Sequence, residues 1–303
     1  MNEFLSQMVE RAKRSPKRVA FPESSCADIL RCAEQVVANG MGAPVLVGAQ
    51  ASVEALAAEQ GVSTAGFDYF DNTDEANRMA LAEKYAEMGF SDYSTKAVAR
   101  KSKDPVNCGM FLVKCGLADC CAAGKEYPTG DVVFSAMSFI GLAEGVASPS
   151  SLGIADIPGF EGPQGSMLGL ADCAITAQPD ASDLAGIAIS SADTVAGLMG
   201  WEPRVAMLAF STKGSAEHET IDVVREAVRR AFACHIQANA CKTPSFYKPR
   251  CTVNTLCCIC HKHNTAVVFF RFIHLHQTLQ LNSGQILTFV NNNMCIFLYF
   301  MIP

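Results

Sequence analysis

Residues 17–48 read KRVAFPESSCADILRCAEQVVANGMGAPVLVG. Lys17–Phe21 is a short apolar run, and Pro22-Glu23-Ser24-Ser25 has the composition of a turn. From Ala27 to Asn39, apolar residues recur at helical spacing: Ile29, Leu30, Ala33, Val36 and Val37 fall on one face. Gly40 and Gly42 suit the end of that helix. Pro44–Gly48 (PVLVG) is again a short apolar run. Strands this apolar are covered on both faces, which favours a parallel sheet layered with helices over a half-exposed antiparallel one.

The same alternation extends outward. Residues 2–14 predict a helix with Phe4, Leu5, Met8, Val9 and Ala12 along one stripe, ended by Pro16. Helices are predicted over Val53–Gln60 and Asp74–Met88, an unassigned apolar run covers Cys108–Lys114, and Cys120–Gly124 is strand-like. A helix over Thr129–Leu142 opens on Thr129 and Asp131, which suit a cap. Strands then follow at Ser148–Ile154, Met167–Ile175 and Arg204–Phe210, with a Gly/Pro loop at Gly159–Gly165 and helices at Asp183–Met199 and Glu219–Phe232. The pattern predicts an α/β protein with one domain over 1–142 and a second, partial one over 143–233.

Half of the 303 residues are hydrophobic and 18% are charged, which excludes a disordered, collagen-like or coiled-coil chain. The charge is unevenly spread. Residues 1–233 hold all 30 acidic and 19 basic residues, a net of −11. Residues 234–303 contain no Asp or Glu, five basic residues, 7 of the 14 Cys and 5 of the 6 His. This segment does not continue the alternation and is expected to be a poorly packed, poorly ordered tail, with candidate strands at Gln285–Val290 and Cys295–Ile302. A net charge of −6 disfavours nucleic acid and anionic membrane as partners. The N-terminus lacks the apolar core of a secretory signal. The longest apolar run, Met294–Pro303, is too short to span a bilayer. The expected compartment is the cytoplasm, where scattered cysteines such as Cys108 and Cys121 act as small buried apolar residues.

Several segments could carry chemistry. Ser211-Thr-Lys-Gly-Ser215 follows the apolar run RVAMLAF, so Ser211, Lys213 and Ser215 would stand at the carboxyl edge of the sheet, where open α/β sheets bind ligands. Hydroxyls, backbone N–H groups and one cation suit an anion, although the Gly-x4-Gly-Lys spacing of a Walker loop is absent and a polar turn has the same composition. Thr129 would cap its helix, and its hydroxyl could hold phosphate. Ser150 and Ser151, in Ser-Pro-Ser-Ser, are adjacent hydroxyls of a kind that usually serves turns. Cys257, Cys258, Cys260, His261 and His263 have zinc-ligand chemistry but are packed into seven residues, so no metal site is expected. His218 reads as a solvated surface residue.

Seven blocks, in this order, resemble the phosphate acetyltransferase family over about residues 15–233: RVAFPES (18–24), PVLVG (44–48), LVKCGLADCCAAG (112–124), PTGD (128–131), LGLADCAI (168–175), PDASDLAGIAISSADTVAGLMGWEPRVAML (179–208) and FSTKGSA (210–216). The resemblance implies two α/β/α domains of the isocitrate/isopropylmalate dehydrogenase-like kind, with the second inserted into the first. It implies the reaction acetyl-CoA + phosphate = acetyl phosphate + CoA, with CoA a substrate, no cofactor, and a homodimer as candidate assembly. Loop position together with the resemblance puts Thr129, Ser150, Ser151, Ser211, Lys213 and Ser215 in contact with substrate. Three departures stand against it. Phe134 occupies a position where the family usually has Arg. No Arg-x-x-Lys-Gly-like block aligns before residue 105, where Lys84, Lys96, Arg100 and Lys101 are the available cations. The family's late Ser, Arg and Asp catalytic segment has no counterpart after Phe232, so no catalytic residue is assigned and little turnover is expected. The alternatives are a non-catalytic truncated or frameshifted fragment, and a related phosphate acyltransferase for a longer acyl group.

Overall fold

The computed structural model describes residues 3–90, 93–143, 146–157, 159–162, 165–211, 215–241, 267–269, 286–291 and 294–299. The chain divides into two compact units, Met1–Ala143 with Leu287–Asn293, and Glu144–Ile286 with Met294–Pro303.

The first unit runs α1 (Glu3–Arg14), β1 (Lys17–Phe21), α2 (Ala27–Ala38), β2 (Gly42–Val47), α3 (Gln50–Glu59), β3 (Asp68–Phe70), α4 (Glu75–Glu87), α5 (Thr95–Lys101), α6 (Pro105–Lys114), β4 (Cys120–Ala123) and α7 (Thr129–Phe139). Its strands lie in the order β4-β1-β2-β3 and all pair in parallel. The 17–48 stretch is therefore the strand–helix–strand unit its periodicity predicts. Phe21, Leu46 and Ala122 project from one sheet face into a buried cluster with Ile29, Leu30 and Ala33 of α2 and Val53 and Ala57 of α3. Neighbouring strand residues point the other way. There α6 approaches so closely that a Cβ on Gly109 would stand 3.0 Å from Cys121 Sγ. Burying these side chains is the main stabilising contribution, roughly 1.5–3 kcal/mol for each large one. Tyr85 of α4, Phe111 of α6 and Phe139 of α7 form an aromatic group, with Tyr85–Phe111 and Phe111–Phe139 centroids 4.8 and 4.5 Å apart, and the Tyr85 hydroxyl donates to Phe139 O at 3.1 Å.

Three elements go beyond the sequence expectation. Residues 68–70 and 95–101 form β3 and α5. The apolar run over 108–114 is helix α6: Asp104 accepts the Asn107 N–H at 2.8 Å and Pro105 occupies the first turn, both helix-starting devices.

The second unit contains β5 (Leu152–Asp156), β6 (Met167–Ala171), α8 (Ala181–Thr194) continued by a π-turn over Val195–Met199, β7 (Val205–Met207) and α9 (Glu219–Cys241). Asp180 and Asp183 close a reciprocal capping box at the start of α8. β5 begins at Leu152 and β6 stops at Ala171, each shorter than the apolar pattern suggests. Helix α9 passes Phe232, the expected end, and reaches Cys241.

The 234–303 segment supplies β8 (Val267–Phe269), β9 (Ile286–Asn291) and β10 (Met294–Tyr299). β8 lies between β6 and β7, in parallel with both, while β5 and β6 pair antiparallel. β9 pairs antiparallel with β4 through Cys121↔Val290, Ala122↔Phe289 and Ala123↔Thr288. Val267, Val268 and Phe269, and the runs 286–290 and 294–299, are β-branched or otherwise apolar residues suited to strand positions. Cys257–His263 lies outside the described residues.

Candidate functional site

In the first unit β1, β2, β3 and β4 run in parallel, so their carboxyl ends share one sheet edge. The loops after β1 and β4 meet there. Glu23, two residues past β1, is 2% exposed, and its carboxylate accepts the backbone N–H groups of Gly124, Lys125, Glu126 and Tyr127 at 2.9, 3.1, 2.6 and 3.0 Å. Lys125 Nζ lies 3.0 Å from Asp28 Oδ2 on α2. The Tyr127 hydroxyl donates to Asp104 Oδ2 at 3.1 Å, and burial, with Asp104 close by, pushes Tyr127 up to about 12. The loop leads into α7.

Thr129 is the first residue of α7, not its cap. Pro128 takes the N-cap position and makes no side-chain cap bond. Thr129 is half-exposed and Gly130 exposed, at the helix end whose first N–H groups lack intrahelical acceptors. The Ser135 hydroxyl donates to Asn107 Oδ1 at 2.7 Å, tying α7 to α6. Phe134 is 72% exposed on α7.

In the second unit the carboxyl ends of the parallel strands β6 and β7 share an edge, and the antiparallel register Leu152↔Ala171 brings the start of β5 to it. Ser150 and Ser151 are both buried there. The Ser151 hydroxyl donates to Asp172 Oδ1 and accepts the N–H groups of Cys173 and Ala174 at 3.0 and 3.1 Å. Asp172 also accepts the N–H groups of Ser151, Ala174, Ile175 and Thr176. That loop takes the chain out of the strand, which is why β6 ends at Ala171. The Ser148 hydroxyl donates to Asp183 Oδ1 at 2.8 Å, and Thr176 Oγ1 donates to Pro149 O at 3.2 Å.

The loop after β7 keeps Ser211 buried, with its hydroxyl 3.3 Å from Ser215 Oγ, and it accepts the Ala216 N–H at 3.1 Å. Ser215 is exposed. Lys213 lies outside the described residues. His218 is exposed, but its Nδ1 accepts the Thr220 N–H at 3.2 Å, so it helps start α9. The structure thus brings Ser150 and Ser151 to one loop and Ser211 and Ser215 to another on the same edge, and gives Ser151 and Ser211 loop-holding bonds. Sequence reasoning passed over Glu23 and Asp172. Their one visible signal is a carboxylate placed within two residues of the end of an apolar strand.

The family model "Phosphate acetyl/butaryl transferase" matches residues 3–241, ending with α9. The chain belongs to this family. It is 33% identical to the phosphate acetyltransferase of Thermoanaerobacterium thermosaccharolyticum over 229 residues, 75% of this chain and 69% of that protein. It is 33% identical to that of Bacillus subtilis over 232 residues, 76% and 69% of the two chains. Among solved structures, the EutD phosphotransacetylase of Staphylococcus aureus superposes with a TM-score of 0.68 at 26% identity, covering 78% of this chain and 71% of that one. A phosphotransacetylase from Streptococcus pyogenes shares the fold, with a TM-score of 0.72 at 23% identity, covering 89% and 82%. The family match extends eight residues past the junction read from charge and composition. No helix among the described residues is long and apolar enough to cross a membrane, and no group of three or more His, Cys, Asp or Glu among them could hold a metal ion.

Proposed function

We propose that this chain binds CoA and inorganic phosphate and moves an acetyl group between them, acetyl-CoA + phosphate = acetyl phosphate + CoA. The observation that carries this is the family match over residues 3–241. In the reaction a phosphate oxygen forms a bond to the acetyl carbon as the carbon–sulfur bond breaks, and the CoA thiolate then takes up a proton. This needs donors for the carbonyl oxyanion and positive charge or N–H groups for phosphate, and no redox partner. The start of α7, with Thr129, and the loop holding Ser211 and Ser215 offer hydroxyls and N–H groups at sheet edges where α/β folds bind ligands. Lys213 is proposed to add the cation. Ser150 and Ser151 line the same edge in the second unit, and Ser151 shapes it through Asp172.

Turnover is proposed to be low. The 234–303 segment has no carboxylate to act as base. The chain is proposed to act without a cofactor, in the cytoplasm and as a homodimer. The test is release of free CoA thiol from acetyl-CoA as phosphate is raised, with butyryl-CoA as a parallel substrate because Phe134 stands where the resemblance leads one to expect Arg. Thiol release that tracks phosphate supports the reading, and preference between the acyl groups names the substrate.

A further inference from the structure

The Glu23 carboxylate is buried, and no ion pair to it is found among the described residues. What surrounds it is four successive backbone N–H groups, and the division between its oxygens is even. Oε2 accepts from Gly124 and Lys125, and Oε1 from Glu126 and Tyr127. Successive N–H groups turned toward one point form a concavity suited to an anion. Gly124, with φ of +107°, gives the backbone the turn that lets the run of donors converge. We propose that residues 124–127 form an anion-binding nest permanently occupied by the chain's own Glu23, and that this internal ligand is the positioning residue for the Thr129 end of α7. The role given to Thr129 rests on the acyl-transfer reading; the nest itself does not.

The geometry explains why a carboxylate is needed. Four donors converge on two acceptor atoms, and a carboxylate offers about four lone-pair sites and no competing hydrogen. An amide supplies one acceptor oxygen and turns two donors of its own toward the other pair of N–H groups. An alanine leaves four N–H groups facing the space of a –CH2–COO⁻ group, which is the size and charge of acetate. The loop is otherwise tied by Lys125 to Asp28 and by Tyr127 to Asp104, both at its outer side, so nothing else described holds the four amides from within.

The test is residue-resolved amide hydrogen exchange on the full chain and on two variants, Glu23→Ala and Glu23→Gln. In Glu23→Ala the amides of residues 124–127 exchange at least tenfold faster than in the parent, while those of β1 and β2 keep their rates. Added sodium acetate restores the slow exchange and sodium chloride of equal ionic strength does not. In Glu23→Gln, which keeps the side-chain volume and safeguards against a failure of the alanine variant to fold, one pair stays protected and the other exchanges faster. Equal effects of acetate and chloride, or full protection of all four amides in Glu23→Gln, overturn the nest. CoA binding, measured by calorimetry with acetate controls on the parent, provides the second readout. Binding weakened at least tenfold in Glu23→Ala and recovered with acetate supports the positioning role. Unchanged binding in that variant overturns it. A parent that binds no CoA refutes the acyl-transfer reading, and the exchange data then judge the nest alone.

Discussion

Ser151 donates to Asp172 twice, through its backbone N–H at 3.1 Å and through its hydroxyl, both reaching Oδ1. The same hydroxyl accepts two N–H groups from the loop that Asp172 begins. Two segments 21 residues apart are thereby fixed at the edge of one sheet. Replacing Ser151, itself buried, by Ala leaves the part-buried Cys173 N–H without an acceptor and removes one from Ala174. The expected loss is roughly 2–4 kcal/mol of stability, read as a fall in the urea midpoint at unchanged slope. A loss below about 0.5 kcal/mol would show that the pair does not hold the loop.

Arg78 is 6% exposed, and its guanidinium donates to three carbonyls: Ala99 at 3.1 Å, Asn72 at 2.9 Å and Thr73 at 2.6 Å. It joins α4, α5 and the loop before α4. An ammonium cannot reproduce a planar fork with donors on two sides. Arg78→Lys and Arg78→Met are both expected to destabilise by roughly 2 kcal/mol or more, with Lys giving little rescue. Thermal melts decide it; full stability in the Lys variant would show that charge alone is what matters.

Asp119 is held below its ordinary value, first by the Arg18 guanidinium at 2.9 Å and then by the Arg18 backbone N–H at 2.8 Å. A carboxyl lowered on folding stabilises the fold above its unfolded value, near 3.8, and loses that contribution as pH falls through the folded value. The pair is well exposed, so its worth at neutral pH is small. Asp119→Asn should lower stability slightly at pH 7 and flatten the acid limb of the stability curve below about pH 4. An unchanged acid limb would remove this pair from the account.

Cys173 is exposed as a residue, but its Sγ faces Leu170 O at 3.4 Å, and burial of the thiol, with Asp172 beside it, pushes it up to about 11. Cys115 is also at about 11, and Cys108 is raised still further. Little thiolate exists at pH 8, so alkylation of Cys173 in the native chain should run roughly a hundredfold slower than a free thiol and quicken steadily toward pH 11. Peptide mapping after a timed iodoacetamide pulse checks it, with the unfolded chain as reference.

The fold was legible where periodicity is strong. Ile29, Leu30 and Ala33 recur at helical spacing and end up in the core under β1 and β2. Helix α5 escaped because it is seven residues long, TKAVARK, with only Val98 and Ala99 buried, and its start is set by the Ser94 side chain accepting the Ala97 N–H. The Cys108–Lys114 run was ambiguous because α6 is buried almost all round, which erases the stripe that tells helix from strand. At the site, hydroxyl-rich loops were visible as composition, whereas Asp172 and Glu23 were not. Their partners lie 21 and about 100 residues away, a distance over which sequence pattern carries no geometry. Thr129 looked like a cap because Thr prefers that position, but Pro128, one residue earlier, is extended and takes it.

On the proposed reading residues 3–241 couple CoA to phosphate, and residues 242–303 supply no Asp or Glu to act as base. One assay tests it directly: release of CoA thiol from acetyl-CoA by the purified full chain, followed for hours across a phosphate titration. Release is expected to saturate with phosphate, at a rate at least a hundredfold below the ~10 s⁻¹ typical of enzymes. Release indifferent to phosphate, or turnover at that typical rate, would contradict it.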